Sequence, residues 1–432
     1  MIAVTQKIRK TFSQEQLFML SAFLVNGGNY LYNLLLGRFL GPTLFADAAI
    51  LITLLLVLSF VAMTFQLTVT KFTFELENAQ RESLIAKAYK YAASTGIILG
   101  MATVIFAAQL QSVFQTHSSG MFIAFGLAVP LYFVMSVNRG FLQGNNRFGS
   151  LAMTYQLEML CRLFLTFTFL ILFDLPSEYA VSIAIAVSFL AGLFPFKKPL
   201  FIKNQTLILS KEHQEKIIIF FVLTACYELT QIVCNNSDIL LVKHYFSSYE
   251  AGLYASLALI GRVVYFVTWM FVMLLLPQVL KSRKEGNNAV PILKKYLGYI
   301  SILSFVIVSF SFLFPELAVD VLFGEQYRSI SSLLGWYALA TSFFALSNIF
   351  VYYFLSIDTY QPILITAVFG ILQVVAIVIF HKSLLKVVMI QVYVMAALLL
   401  GQIFYFIYHT YRSKKVQPQL NDDSFIHNID LS

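Results

Sequence analysis

Charge is scarce in this chain. Of 432 residues only 12% are Asp, Glu, Lys or Arg, 59% are hydrophobic, and the mean hydropathy is +0.79. A soluble domain is about one quarter charged. A chain this apolar has too little polar surface to cover itself in water, and a bilayer is the solvent that accommodates it. Cysteine is scarce too, with 3 residues, Cys161, Cys226 and Cys234, all inside apolar runs. That excludes a disulfide framework and predicts buried free thiols. No G-x-x-x-x-G-K-[ST], H-E-x-x-H or G-x-S-x-G occurs, so a P-loop, a zincin site and a nucleophile elbow are excluded. His117, His213, His244, His381, His409 and His427 are scattered over loops and helix ends, which predicts solvated or interfacial rings and no metal site. No connection is long enough to fold as a soluble catalytic module. The net charge of +8 is spread among loops, which excludes a nucleic-acid patch and serves instead as a topology signal.

What is there is a series of apolar runs. Runs near the 20 residues that cross a hydrocarbon core fall at roughly 17–40, 46–70, 84–110, 119–142, 149–173, 179–196, 217–242, 250–278, 294–314, 329–356, 361–380 and 386–410. They predict an all-α polytopic membrane protein with about twelve transmembrane helices. Tyr91 to Asn138 carries no charge, and QSVFQTHSSG divides it into two crossings. The start, MIAVTQKIRKTFSQEQ, leads into apolar sequence without a cleavage-site pattern, so the first helix is expected to stay as an anchor. Lys and Arg concentrate in alternate connections: Lys7, Arg9, Lys10, Lys71, Arg81, Arg147, Lys197, Lys198, Lys203, Lys211, Lys216, Lys281, Arg283, Lys284, Arg412, Lys414 and Lys415. The opposite turns hold Lys243, Arg328, Lys382 and Lys386. This bias predicts both termini in the cytoplasm.

The longest basic loop lies midway, and the halves resemble each other. NLLLGRFLGPTLFADAAI from Asn33 aligns with DILLVKHYFSSYEAGLYA from Asp238, pairing Leu35 with Leu240, Leu36 with Leu241, Arg38 with Lys243 and Ala46 with Ala251. The expected organisation is an N-terminal six-helix lobe over 1–200, a cytoplasmic linker over 201–216, a C-terminal six-helix lobe over 217–411 and a disordered tail over 412–432. Parallel repeats of this kind recur in transporters that rock one half against the other.

The seventh run carries polar groups at membrane depth. Thr224, Glu228, Gln231, Asn235 and Asp238 fall within an arc of roughly 80° at 100° per residue. Asn26, Asn29 and Asn33 form a similar stripe on the first helix, and Arg262, Tyr265 and Trp269 one on the eighth. Ionised groups in a bilayer face a wet cavity or one another. Arg38, Arg139, Arg162 and Arg262 are the cations at or near membrane depth. Arginine suits a phosphate, because its guanidinium stays charged and forks onto two oxygens. The structural alternatives are an ion pair of Arg262 with Glu228 or Asp238, an intrahelical pair of Glu158 with Arg162, and snorkelling of Arg38 and Arg139 from helix ends.

LGRFLGPTLFADAAI, FLQGNNRFG, SDILLVKHYFSSYEAGLYASLALIGR and LFGEQYRSISSLLGWYALA resemble the polysaccharide-transporter family. These are the O-antigen and lipid-linked oligosaccharide flippases of the multidrug/oligosaccharidyl-lipid/polysaccharide exporter superfamily. The resemblance implies a V-shaped exporter fold of two six-helix lobes around a central cavity. It implies transfer of a polyprenyl-diphosphate-linked oligosaccharide across the inner membrane, with no enzymatic activity and no cofactor. The extra two helices typical of the lipid II flippase branch are not found.

On this reading Arg262, Arg162, Arg38 and Arg139 are the candidate substrate-binding cations. Glu228, Asp238, Glu158, Asn235, Gln231 and Asn33 are candidates for ion coupling, with H+ or Na+, or for lining the cavity. Tyr265 and Trp269 are candidates for stacking on sugars. Membrane lipids and the lipid-linked glycan are the expected partners, with a polysaccharide polymerase and a chain-length regulator beside them. The alternatives are a multidrug/cation antiporter, which needs more acid than base in its cavity, and an integral-membrane glycan polymerase, which needs a larger outer loop.

Overall fold

The computed structural model describes residues 14–195, 211–265, 268, 271, 275, 278, 279, 282, 285, 287–357 and 359–426. The helices among them are α1 (Gln14–Glu75), α2 (Asn78–Ile105), α3 (Ala107–Phe114), α4 (Gly120–Gly144), α5 (Phe148–Ile171), α6 (Ser177–Gly192), α7 (Lys211–Tyr245) and α8 (Ser248–Gly261). They continue with α9 (Val290–Leu313), α10 (Pro315–Leu322), a 3-10 segment (Glu325–Leu333), α11 (Leu334–Leu355), α12 (Gln361–Phe380) and α13 (Leu384–Ile426). No strand occurs among the described residues. Each of the twelve expected spans lies on helix, the eighth only in part, because 250–278 runs beyond α8 into incompletely described sequence. Seven described helices are individually long and apolar enough to cross a membrane, or eight if the bent pair Ala79–Ile105 and Ala107–Phe114 is one span. The protein is an all-α, multi-pass membrane protein.

The first two expected spans are fused in α1. Their turn has shrunk to a kink at Gly41, whose φ of 73° and ψ of 171° suit a residue without Cβ. Pro42 follows and cannot donate to the helical ladder, so the chain changes direction without unwinding into a loop. The 3-10 segment packs at this kink. Tyr327 is fully buried, its hydroxyl donates to Gly37 O at 2.7 Å, and Phe323 lies 5.8 Å from Phe45. The motif LFGEQYRSI is thus a plug on α1.

By internal contacts the chain groups into two units. One is Met1–Ser256 with Asp320–Ser329, the other Leu257–Val319 with Ile330–Ser432. The first unit extends past the midpoint loop because α7 lies along α1, where Phe65 meets Phe221 at 5.0 Å and Phe72 meets Phe220 at 5.9 Å. In the second unit the core joins Leu293, Tyr296 and Ile300 of α9 to Ile349, Phe350 and Phe354 of α11, with Phe406 of α13 against them. Helix α13 runs on to Ile426, so the polar residues 412–426, expected as disordered tail, continue the helix.

The outer faces of these helices are apolar. Ile97, Ile98, Met101 and Ile105 on α2 and Leu364, Val368 and Ile371 on α12 are all exposed, as expected of surfaces solvated by lipid. Among the thiols, Cys234 is buried, Cys161 half-buried and Cys226 exposed. The expectation of buried cysteines therefore fails for Cys226, which lies beside the exposed Val222, Leu223 and Leu229 on the apolar side of α7.

Candidate functional site

The polar stripe of α7 faces inward. Gln231 and Asp238 are buried, and Thr224, Glu228 and Asn235 are half-buried, while the opposite face of the helix is exposed. Asp238, 1% exposed, accepts a hydrogen bond from Tyr254 Oη at 3.0 Å. Asn235 donates back to Gln231 O at 3.1 Å, and Asn33 does the same to Asn29 O at 2.8 Å. Both amides help to satisfy their own helix, as Asn commonly does mid-helix.

The most concentrated charge lies on α5. Its buried residues are Leu151, Thr154, Glu158, Arg162, Thr166 and Leu170, nearly all at a spacing of four, so one stripe of this apolar helix is polar. Glu158 Oε2 accepts from Arg139 Nη2 of α4 at 2.7 Å, and Glu158 Oε1 accepts from Arg162 Nη2. Arg139 also donates to Thr154 Oγ1 and Thr154 O, both at 3.1 Å, and its guanidinium lies 3.8 Å over the Tyr155 ring. Exposures of 4% for Arg139, 9% for Glu158 and 7% for Arg162 remove all three from lipid. Gly192 permits α6 to close over them, since a Cβ there would meet Met135 Sδ at 2.4 Å and Glu158 Cβ at 3.2 Å. Helix α1 completes the wall through Tyr32 Oη, 3.2 Å from Thr166 Oγ1.

This corrects one expectation. Arg139 does not snorkel from a helix end; it is buried, stacked and ion-paired. The cluster holds two guanidiniums against one carboxylate and is therefore cationic. Arg162 Nε is buried with no hydrogen-bond partner among the described residues, a donor direction still available to an anion.

Of the remaining candidates, Arg38 belongs to the first unit and Arg262 and Tyr265 to the second. Arg38 is exposed beside the Gly41 kink, with Nη1 donating to Val321 O at 2.9 Å. Arg262 is half-buried, with Nε donating to Tyr337 Oη at 3.2 Å. Tyr265 stacks on Phe344 with centroids 5.5 Å apart, so one face of the ring expected to receive a sugar is used in packing. Trp269 lies outside the described residues.

Sequence reasoning missed a second buried charge cluster. Lys243 Nζ lies 2.8 Å from Asp47 Oδ1, with side chains 1% and 2% exposed. His117 donates its backbone N–H to Asp47 Oδ2 at 2.9 Å, and its Nδ1 lies 2.7 Å from the same oxygen. Lys243 also donates to Ser248 Oγ at 2.8 Å, and Ser248 Oγ donates to Gln115 O at 3.3 Å. These residues tie α1 just past its kink to the turn after α3 and to the α7–α8 corner. Lys243 is therefore not the outer-turn group expected, whereas His117, with its side chain 45% exposed, keeps the solvated ring expected of it while holding Asp47. Asp47 sits in the apolar run LFADAAI, and an acid there was the signal that a partner existed. Gly252 lets α8 reach this corner, because a Cβ at that position would fall 1.7 Å from Pro42 O.

Comparison with curated proteins finds no match. Solved structures do match. A lipid II flippase, MurJ, in an inward closed conformation is 15% identical with a TM-score of 0.72, over 90% of this chain and 87% of that one. A multidrug-resistance MATE-family transporter in an inward-facing conformation is 13% identical with a TM-score of 0.71, over 90% and 95%. A transporter of the same superfamily from Pyrococcus furiosus, described as having a binding pocket of reverse polarity, is 13% identical with a TM-score of 0.56, over 93% and 94%. At these identities the likeness shows the fold alone, and that fold is the one the motifs implied. The family model described as "Polysaccharide biosynthesis protein" matches residues 35–332. That range carries three of the resembling motifs whole and the start of the fourth, and the chain belongs to this family, with the fold of the multidrug/oligosaccharidyl-lipid/polysaccharide transporters.

Proposed function

We propose that this transporter flips a polyprenyl-diphosphate-linked oligosaccharide, an O-antigen or other surface-polysaccharide repeat unit, across the inner membrane by alternating access. The observation that carries the reading is the buried Arg139–Glu158–Arg162 cluster, where two cations face one anion inside an apolar helix bundle. Burying surplus positive charge in a membrane is costly unless an anion is met there. A lipid diphosphate is such an anion, and a family concerned with polysaccharide biosynthesis supplies the glycan.

Arg162 offers its open Nε to a phosphate oxygen, and Arg139, held by Thr154 and Tyr155, positions Glu158. Arg262, half-buried with its Nε on the Tyr337 hydroxyl, is a separate docking point, and Arg38 an exposed one. Glu228 and Asp238 are assigned to the coupling ion, H+ or Na+, with Gln231, Asn235 and Asn33 as polar lining. The two lobes that alternate are assigned on this reading to the six spans on either side of the midpoint loop. Both termini are placed in the cytoplasm, and a polymerase and a chain-length regulator act downstream.

Deletion of the gene, followed by analysis of surface glycan and of lipid-linked precursor, tests the reading. Loss of surface polymer with precursor retained on the inner leaflet supports it. Intact polymer with new drug sensitivity would replace it with the antiporter.

A further inference from the structure

A groove of about 510 Å³ opens where α1, α2 and α7 meet. Its walls are mainly apolar, among them Phe65, Val69, Ala88 and Ile218; Thr68, Tyr91, Thr95 and Gln214 are polar, and Lys87 is the charged member. The floor spans Val61 to Val69 on α1 and Leu84 to Thr95 on α2. At 1.5 Å per helical residue these stretches are roughly 12 and 16 Å long, about half of a ~30 Å hydrocarbon core. The groove therefore has the length of one leaflet.

Its two ends differ. Leu84 packs with Phe72 and Leu76, with Ile217 and Phe220 alongside. Lys87 and Gln214 thus lie toward the membrane face where α1 ends and α2 and α7 begin, and Val61 and Thr95 lie deeper. Thr68 belongs to the shallower part. Its neighbours on α1, Thr53, Thr64 and Thr70, return their hydroxyls to Ala49 O, Phe60 O and Gln66 O. Thr68, only 5% exposed, has no partner for its Oγ1. Thr68 lines the groove on the same side as the cationic Lys87.

The geometry points to this groove as the seat of a polyprenyl phosphate in the cytoplasmic leaflet, its chain along α1 and α7 and its phosphate at Lys87. A single-chain lipid can lay the phosphate-proximal part of its chain along the groove and leave the rest in the bilayer, whereas a diacyl lipid would have to seat or divert a second chain beside its headgroup. The assignment rests on the flippase reading and adds to it a place where the lipid waits before its headgroup enters.

The test uses the full-length protein in lipid nanodiscs, with a long-chain polyprenyl monophosphate, the uncharged polyprenol and phosphatidylglycerol as competitors of a fluorescent polyprenyl phosphate. Lys87→Gln is expected to weaken the phosphate about three- to fivefold and leave the polyprenol unchanged. Ile218→Trp, which fills the mouth, is expected to weaken both by roughly tenfold. Ile98→Trp, on the lipid face of α2, is the control and changes neither. Equal affinity for phosphatidylglycerol, or wild-type affinity in both groove variants, overturns the assignment. Flipping of lipid-linked glycan, measured on the same preparations, separates the two readings. Binding with this pattern but no flipping leaves the groove standing and removes the transport reading; flipping with unaffected variants removes the groove alone.

Discussion

The Asp47–Lys243 pair allows a quantitative test of how charge is held inside this bundle. Both side chains are almost wholly buried and 2.8 Å apart, so removing one partner leaves the other charged in a medium that solvates it poorly. The two losses are unequal. In Asp47→Asn, the Lys243 ammonium keeps a hydroxyl acceptor, Ser248 Oγ, and the expected cost is about 3–5 kcal/mol. In Lys243→Met, Asp47 keeps the His117 backbone N–H and imidazole on Oδ2. Hydrogen bonds to a charged group contribute about 1.5–3 kcal/mol each, which lowers the expected cost to about 1–3 kcal/mol.

The double variant removes both charges, and replacing a buried pair by neutral groups is commonly close to neutral; the expected value lies within about 2 kcal/mol of wild type. Unfolding of the purified protein in mixed micelles, titrated with SDS and followed by helicity, reads all three. Equal losses in the two single variants would refute the role given to His117. A double variant as unstable as the sum of the singles would refute the pairing itself.

Three further outcomes follow from the same geometry. Glu158→Gln leaves Arg139 and Arg162 facing one another without their shared carboxylate, and is expected to destabilise by about 3–5 kcal/mol in the same titration, with partial recovery when Arg162→Met is added. Gly252→Ala places a Cβ 1.7 Å from Pro42 O, a backbone atom with no rotamer to yield, and is expected to cost about 1–3 kcal/mol or more, seen as loss of monodisperse protein on size exclusion. Arg262→Ala is expected to abolish glycan export while Arg262→Lys keeps part of it, because the charge survives and the forked geometry does not; full export in the Ala variant removes Arg262 from the substrate path.

Most of the helices were legible because a bilayer imposes a simple length rule on apolar sequence, and each of the twelve expected runs lies at least in part on a described helix. The boundary between the first two was less so: Gly41–Pro42 reads as a turn, and only the packing of Tyr327 and Phe323 against α1 shows that a kink suffices. On α5 the spacing of Glu158 and Arg162 announced their pair, since both lie on one helix. Arg139 comes from another helix, nineteen residues earlier, and its burial depends on α6 closing at Gly192, which local pattern does not encode. Lys243 reads as a topology marker, because a lysine near a helix end usually is one; its partner Asp47 lies on a different helix and carries no periodic signal. Charges whose partners are distant in sequence were the ones misplaced.

The claim on which the rest depends is that guanidinium groups carry a phosphorylated lipid through this protein. Purified protein reconstituted in vesicles loaded on one leaflet with a polyprenyl-diphosphate-linked oligosaccharide measures it directly, by the fraction of glycan that becomes accessible to an external glycosidase. The expected result is protein-dependent transfer that falls to background in an Arg162→Ala, Arg262→Ala variant that still folds. Transfer at the wild-type rate in that variant, or none with the intact protein, would contradict it.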